Sequence, residues 1–201
     1  MKIINTKDKE FKTEFENILK RAKSDIKGVS KIVENIIDEI VEDGNEALKR
    51  HIEKFDKWIV KSDDELLISQ KDMKKAYETL DESLKKSLHT AYERIKSYHE
   101  KQLPKSWIDF EENGTILGQK VTAVDRAGLY IPGGKAAYPS SLLMNAIPAK
   151  VAGVKEIVVC TPTINNEVNE LLLAACHLCG VSKVYKVGGA SAIAAMAYGT
   201  Q

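Results

Sequence analysis

Apolar positions recur at helical spacing through the first hundred residues. Phe11, Phe15, Ile18, Leu19 and Ala22 mark one stripe. Ile26, Val29, Val33, Ile36, Ile37 and Ile40 mark a second, at i, i+3, i+4, i+7 intervals. That period places one face of each helix against a core. Gly44 stops the second helix. Asn45 is a good N-cap for a third, with Leu48, Ile52 and Phe55 on its buried side. Leu66–Leu67–Ile68 reads as a short strand. Asp81 caps a long helix with the stripe Leu84, Leu88, Ala91, Ile95 and Tyr98, and Pro104 ends it.

From Trp107 the period shortens. Ile116, Val121 and Val124 sit in strand-like surroundings, with Gly114 and Gly118 as turn residues. After Asp125 short apolar runs alternate with helical stretches. Gly128–Ile131, Glu156–Cys160 and Val184–Val187 read as strands. Pro132–Gly133–Gly134 breaks the first. Ser140 is placed to cap a helix running to Lys150, which Pro148 should kink or shorten. Val168–Cys179 is a second helix with Gly180 at its C′ position. Gly188–Gly189 opens a small-residue helix, Ala190–Tyr198. Strands alternating with helices at this spacing pair in parallel through right-handed crossovers. The fold class expected is α/β: a helical N-terminal region with short strands over residues 1–124, part of a larger domain, then a Rossmann-like parallel-sheet unit over 125–201, incomplete at its C-terminal end.

Charge follows the same division. Residues 1–112 carry 23 Lys/Arg and 25 Asp/Glu, whereas residues 113–201 carry 7 and 4. The first part is the composition of solvated amphipathic helices; the second is that of a core whose surface is largely covered. A net charge of +1 leaves no electrostatic footprint for nucleic acid or an anionic membrane. No apolar run reaches the ~20 residues that span a bilayer, and the N-terminus lacks the apolar segment of a secretion signal. Three cysteines are too few for a disulfide framework, so a cytoplasmic location is expected.

Candidate chemistry is sparse. Gly133–Gly134 and Gly188–Gly189 follow strands, at the ends where open α/β sheets place ligands. Glycine there lets backbone approach a phosphate, and a following helix N-terminus favours an anion. Neither is a G-x-G-x-x-G fingerprint, and a plain tight turn explains both as well. Cys176–His177–Leu178–Cys179 has C-x-x-C spacing, but no second pair completes a zinc set. The pair also closes a helix rather than opening one, so burial is the better reading. His51, His89 and His99 lie on charged helices and read as surface or partly packed, with no carboxylate–histidine pair beside a nucleophile. Ser140 and Ser141 lack a base.

Longer stretches carry more. They are Asp125–Arg126–Ala127–Gly128–Leu129–Tyr130–Ile131–Pro132–Gly133–Gly134, Pro139–Ser140–Ser141–Leu142–Leu143–Met144 with its continuation to Glu156, and Ala174 through Val181 followed by Lys186–Val187–Gly188–Gly189–Ala190 and Ala192 through Thr200. Asp43–Gly44–Asn45–Glu46–Ala47–Leu48 and Phe55–Asp56 add to them. In this order the stretches resemble histidinol dehydrogenase. The resemblance implies two Rossmann-like domains with smaller helical ones, an intertwined homodimer, and oxidation of L-histidinol to L-histidine through the aldehyde with two NAD⁺. It further implies a zinc ion that holds the substrate and a glutamate–histidine pair that handles protons. By the same resemblance Tyr130 is an NAD contact. Ser191 stands where the family has an NAD-contacting glutamine, and Lys135 where threonine is common. Pro132, Gly133 and Gly134 join Tyr130 and Ser191 as the cofactor-binding set. The zinc ligands and catalytic pair belong to the family's second half, so no catalytic residue and no metal ligand is assigned here, and the isolated chain is expected to be inactive. The alternative is a non-catalytic nucleotide-binding or interaction module.

Overall fold

The structure is a computed structural model and describes residues 3–21, 26–133 and 138–200. Of the positions singled out above, Ala22, Gly134 and Lys135 lie outside the described residues. Helix α1 spans Phe11–Arg21, α2 Ile26–Asp43 and α3 Asn45–Asp56; a 3-10 turn over Asp63–Leu66 leads into strand β1, Leu67–Ile68. Helices α4 (Gln70–Glu78) and α5 (Glu82–Glu100) follow, then a hairpin of β2 (Trp107–Phe110) and β3 (Ile116–Gln119). The remainder alternates: β4 (Arg126–Tyr130), α6 (Pro139–Val151), β5 (Glu156–Cys160), α7 (Glu170–Cys179), β6 (Lys183–Tyr185) and α8 (Gly189–Tyr198).

One sheet organises these elements, in the order β1-β6-β5-β4. Strands β4, β5 and β6 are parallel, with Tyr130 opposite Cys160 and Cys160 opposite Tyr185. The β1 strand adds an antiparallel edge, Leu67 against Tyr185. Ile157, Val159 and Val184 point to one face, where α6 and α7 cover them and α4 and α5 pack behind. Cys160 and the partly buried Tyr130 and Tyr185 belong to the opposite face, beneath α2, α3 and α8. Successive residues of a strand point to opposite faces, so neighbours such as Val159 and Cys160 serve the two cores at once.

Local chemistry explains most boundaries. Asp81 caps α5 by accepting from the Ser83 and Leu84 N–H groups. Asn169 caps α7 through the Leu172 N–H, so that helix starts two residues later than the apolar run suggests. Gly180 takes the left-handed conformation, φ 69°, and the Val181 N–H donates to the Cys176 carbonyl, the closure expected after a helix. Gly44 ends α2 at φ 54°.

Several expectations are corrected. Gly44, not Asn45, is the N-cap of α3; the Asn45 side chain instead donates to Asp63. Ser140 does not cap α6, because Tyr138 holds that position and Pro139 takes the first helical turn, where its missing N–H costs nothing. Pro148 does not shorten α6, which continues to Val151. Gly118 lies inside β3 rather than in a turn, and an added Cβ would meet the Trp107 carbonyl oxygen at 2.7 Å. Phe55 is exposed, and the stripe of α1 (Phe15, Ile18, Leu19) is exposed as well.

Candidate functional site

The loops that leave β4, β5 and β6 meet at the carboxyl end of the parallel strands, where their junction is Pro162. An ideal Cβ on Gly133 would sit 2.9 Å from the Pro162 ring and carbonyl oxygen, and one on Gly188 only 2.4 Å from the Pro162 Cβ. The two glycines therefore let three loops close on one proline.

Pro162 also divides the expected cofactor set. Pro132 and Gly133 are exposed and line a cleft of about 610 Å³ with Tyr138, Thr161, Asn169 and Leu172. Tyr130 and Ser191 are brought together elsewhere, at the start of α8. The Gly189 N–H donates to the Tyr130 hydroxyl at 3.3 Å. Gly189 has φ 62°, and its Cβ position is open space. Ser191 sits two residues on and is 4% exposed.

Sequence reasoning missed what holds Ser191. The Ser191 Oγ lies 2.8 Å from His51 Nδ1, and His51 Nε2 lies 2.8 Å from a Glu39 carboxylate oxygen. The expectation of a surface or partly packed histidine without a carboxylate partner is thus corrected, since His51 is 5% exposed and bonded to Glu39. A carboxylate only accepts, so Nε2 carries the proton and donates to Glu39. In the neutral ring Nδ1 then has only its lone pair, and the Ser191 hydroxyl donates to it. These groups have the composition of an acid–base–nucleophile triad. Burial of Ser191 shields its hydroxyl from a substrate carbonyl. The missed signal is periodicity: His51 lies at i+3 from Leu48, on the same stripe as Ile52.

A second buried group comes from the end of α3. The Asp56 carboxylate accepts from the Thr163 N–H at 3.3 Å, and burial pushes its pKa above the usual carboxylate range, against that one hydrogen bond. The Thr163 hydroxyl and the Trp58 indole N–H are buried without a partner. Lys186 Nζ stands 4.7 Å from the Trp58 ring centre and donates to Asn166. Its pKa is lowered, chiefly by burial. Cys176 and Cys179 are free and fully buried. Burial pushes the Cys179 thiol up to about 12 and Cys176 higher still, so neither is a ready thiolate.

The sequence model of a protein family described as Histidinol dehydrogenase matches residues 19–201. The chain belongs to the histidinol dehydrogenase family. It is 69% identical over 196 residues to the histidinol dehydrogenase of Sulfurimonas denitrificans, covering 98% of this chain and 46% of that protein. Against the Wolinella succinogenes histidinol dehydrogenase it is 65% identical over 201 residues, again 46% of the relative. The crystal structure of histidinol dehydrogenase from Elizabethkingia anophelis superposes with a TM-score of 0.78 at 30% identity, over 86% of this chain and 40% of that one. The chain thus spans under half the length of the relatives it matches, and the fold and its alternation of strands and helices are those of the family. Among the described residues no group of three or more His, Cys, Asp and Glu side chains comes together to hold a metal. The zinc implied by the resemblance has no fitting ligand set among those residues. No helix among the described residues is long and apolar enough to cross a membrane.

Proposed function

We propose that this chain supplies the cofactor-binding part of an NAD-dependent enzyme that oxidises L-histidinol to L-histidine through the aldehyde. The observation that carries the reading is the placement of the Tyr130 hydroxyl against the Gly189 N–H, at the carboxyl end of a parallel sheet and the start of α8. The residues present fit a dinucleotide in kind. A helix N-terminus favours a phosphate anion. Exposed Gly133 lets backbone approach a ligand, and the open space at Gly189 leaves room there. Tyr130 accepts from Gly189, so its own proton remains to donate to the cofactor. Pro132, Gly133, Gly134 and Ser191 complete the set, with Gly134 outside the described residues.

NAD⁺, when bound, accepts the hydride. This chain's task in the reaction is to bind and orient: a reactant held in place gains over one that must be met in solution. Zinc ligands and the proton-handling pair would come from the part of the relatives that this chain does not match. Residues 125–201 would supply the cofactor contacts, with β1 and the helices before residue 125 packed into the same sheet unit. A homodimer and a cytoplasmic location belong to the same reading, the latter supported by three free, buried cysteines.

Titration calorimetry with NAD⁺ tests the reading. The wild-type chain binds, and Tyr130→Ala weakens binding about tenfold or more, as expected for the loss of a hydrogen bond and an aromatic contact. Equal affinity in the two removes Tyr130 from the site. With L-histidinol added, the isolated chain produces no histidine; measurable turnover would refute the division of labour.

A further inference from the structure

The hydrogen-bonded chain Glu39–His51–Ser191 links three helices at the point where the cofactor reading places its ligand. Glu39 is on α2, His51 on α3, and Ser191 in the first turn of α8. Glu39 is half exposed, while His51 and Ser191 are buried. Polar side chains of this kind are costly to bury unless both ends are satisfied, and here they are. The Ser191 hydroxyl is thereby spent on His51 Nδ1. Its neighbour Tyr130 is fixed by the same turn of helix, through Gly189.

We propose that His51, oriented by Glu39, is a positioning residue for the NAD site. It acts through Ser191, which ties α3 to the first turn of α8 and so fixes the Gly189 N–H that holds the Tyr130 hydroxyl in place for the cofactor. Ser191 belongs to the site by this link rather than by reaching the ligand itself. Because its proton is committed to His51, only oxygen lone pairs remain on Ser191 Oγ, so a ligand group that approached it would have to be a donor and not a phosphate. The inference rests on the NAD reading above.

Two substitutions separate the ends of the chain. His51→Gln keeps an amide where Nε2 meets Glu39 and loses the bond to Ser191. His51→Asn keeps an amide at the place of Nδ1 and retains it. NAD⁺ titration of this chain should show His51→Gln and Ser191→Ala each weakened about three- to tenfold, the worth of one hydrogen bond. The double variant should be no weaker than the worse single, because both remove the same bond. His51→Asn should recover part of the loss. In nitrogen NMR the His51 ring should carry its proton on Nε2, and its Nδ1 signal should move on NAD⁺ addition in wild type but not in Ser191→Ala.

Additive losses in the double variant overturn the inference, since they would mean two separate packing defects. It falls alone if Tyr130→Ala weakens binding while His51→Gln and Ser191→Ala do not. If the wild-type chain does not bind NAD⁺, or Tyr130→Ala binds equally, the cofactor reading falls and takes this one with it.

Discussion

Gly188→Ala adds one methyl group at the place where the three loops close. Its Cβ would lie 2.4 Å from the Pro162 Cβ and 3.0 Å from the Pro162 Cα. A proline ring and a backbone carbon cannot swing aside, so the β5–α7 loop or the start of α8 must shift. Gly128→Ala is the control. Its Cβ would meet the Met196 sulfur at 2.6 Å, but that atom is the far end of a flexible side chain. Neither glycine needs a positive φ, so both variants gain similarly from a stiffer unfolded chain. The difference between them then combines the clash with a cap term of about 1 kcal/mol, because Gly188 also caps α8 and alanine is a poor N-cap. Overpacking that moves backbone costs about 1–3 kcal/mol, and Gly188→Ala should fall at roughly 2–3 within that range. For a chain of this size it should lower Tm by about 4–12 °C, at roughly 2–4 °C per kcal/mol. Gly128→Ala should cost less than ~1 kcal/mol by the same scale. Denaturant unfolding with constant m-values would measure both. Equal losses, or a larger loss at Gly128, would refute the account of Pro162 as the fixed point of the site.

Asp56 and the cysteines give two further tests. The folded pKa of Asp56 is raised by burial, so the folded state holds the proton more tightly than the unfolded one; stability then falls as pH rises from the ordinary carboxylate range through the raised value. Asp56→Asn removes that dependence and should be the more stable protein at neutral pH, provided its amide oxygen still accepts from Thr163; pH-resolved melting checks it, and an unchanged slope would exclude Asp56 as the cause. Cys160, pushed up to about 11, and Cys179, to about 12, should resist a thiol reagent in the folded protein at pH 8 and react after unfolding. Rapid labelling of the native chain would contradict their burial.

Periodicity carried most of the fold. The parallel strands, the helices between them and the caps Asp81 and Gly180 follow from residues close together in the chain. Where the expectation failed, tertiary contacts decided. Phe55 lies at i+7 on the α3 stripe but is exposed, because α3 turns the Asp56 carboxylate inward to Thr163 instead. His51 lies on the same stripe, but its charged helix reads as solvated; its burial follows from partners 12 and 140 positions away, which no local pattern contains. The resemblance placed Tyr130 and Ser191 in one site without showing that Ser191 spends its hydroxyl inside the protein.

The helical segment before residue 125 is built into the sheet unit rather than set beside it. Its β1 strand closes the β6 edge, and Met73 and Leu88 enter one core while Ile40, Leu48 and Ile52 enter the other. It also brings the imidazole of the Glu39–His51 pair against the first turn of α8, and the Asp56 carboxylate against the loop that leaves β5. An α/β ligand site takes its shape from those loops, so substitutions on α2 and α3 reach it although neither helix lies between the strands. On the same face, nearer the opposite ends of the strands, Glu156 pairs with Arg126 at 2.7 Å and with Lys183 at 3.7 Å. Those charges border a cleft of about 840 Å³ floored by Gly128 and Val158. Exposed ion pairs contribute little to stability. Their consequence is to keep that end of the face polar, while at the end where α3 meets α8 His51 and Ser191 are buried and hydrogen-bonded to each other. The two ends of one sheet face thus differ in character, and it is at the second that α3 bears, through Ser191, on the turn that holds Tyr130.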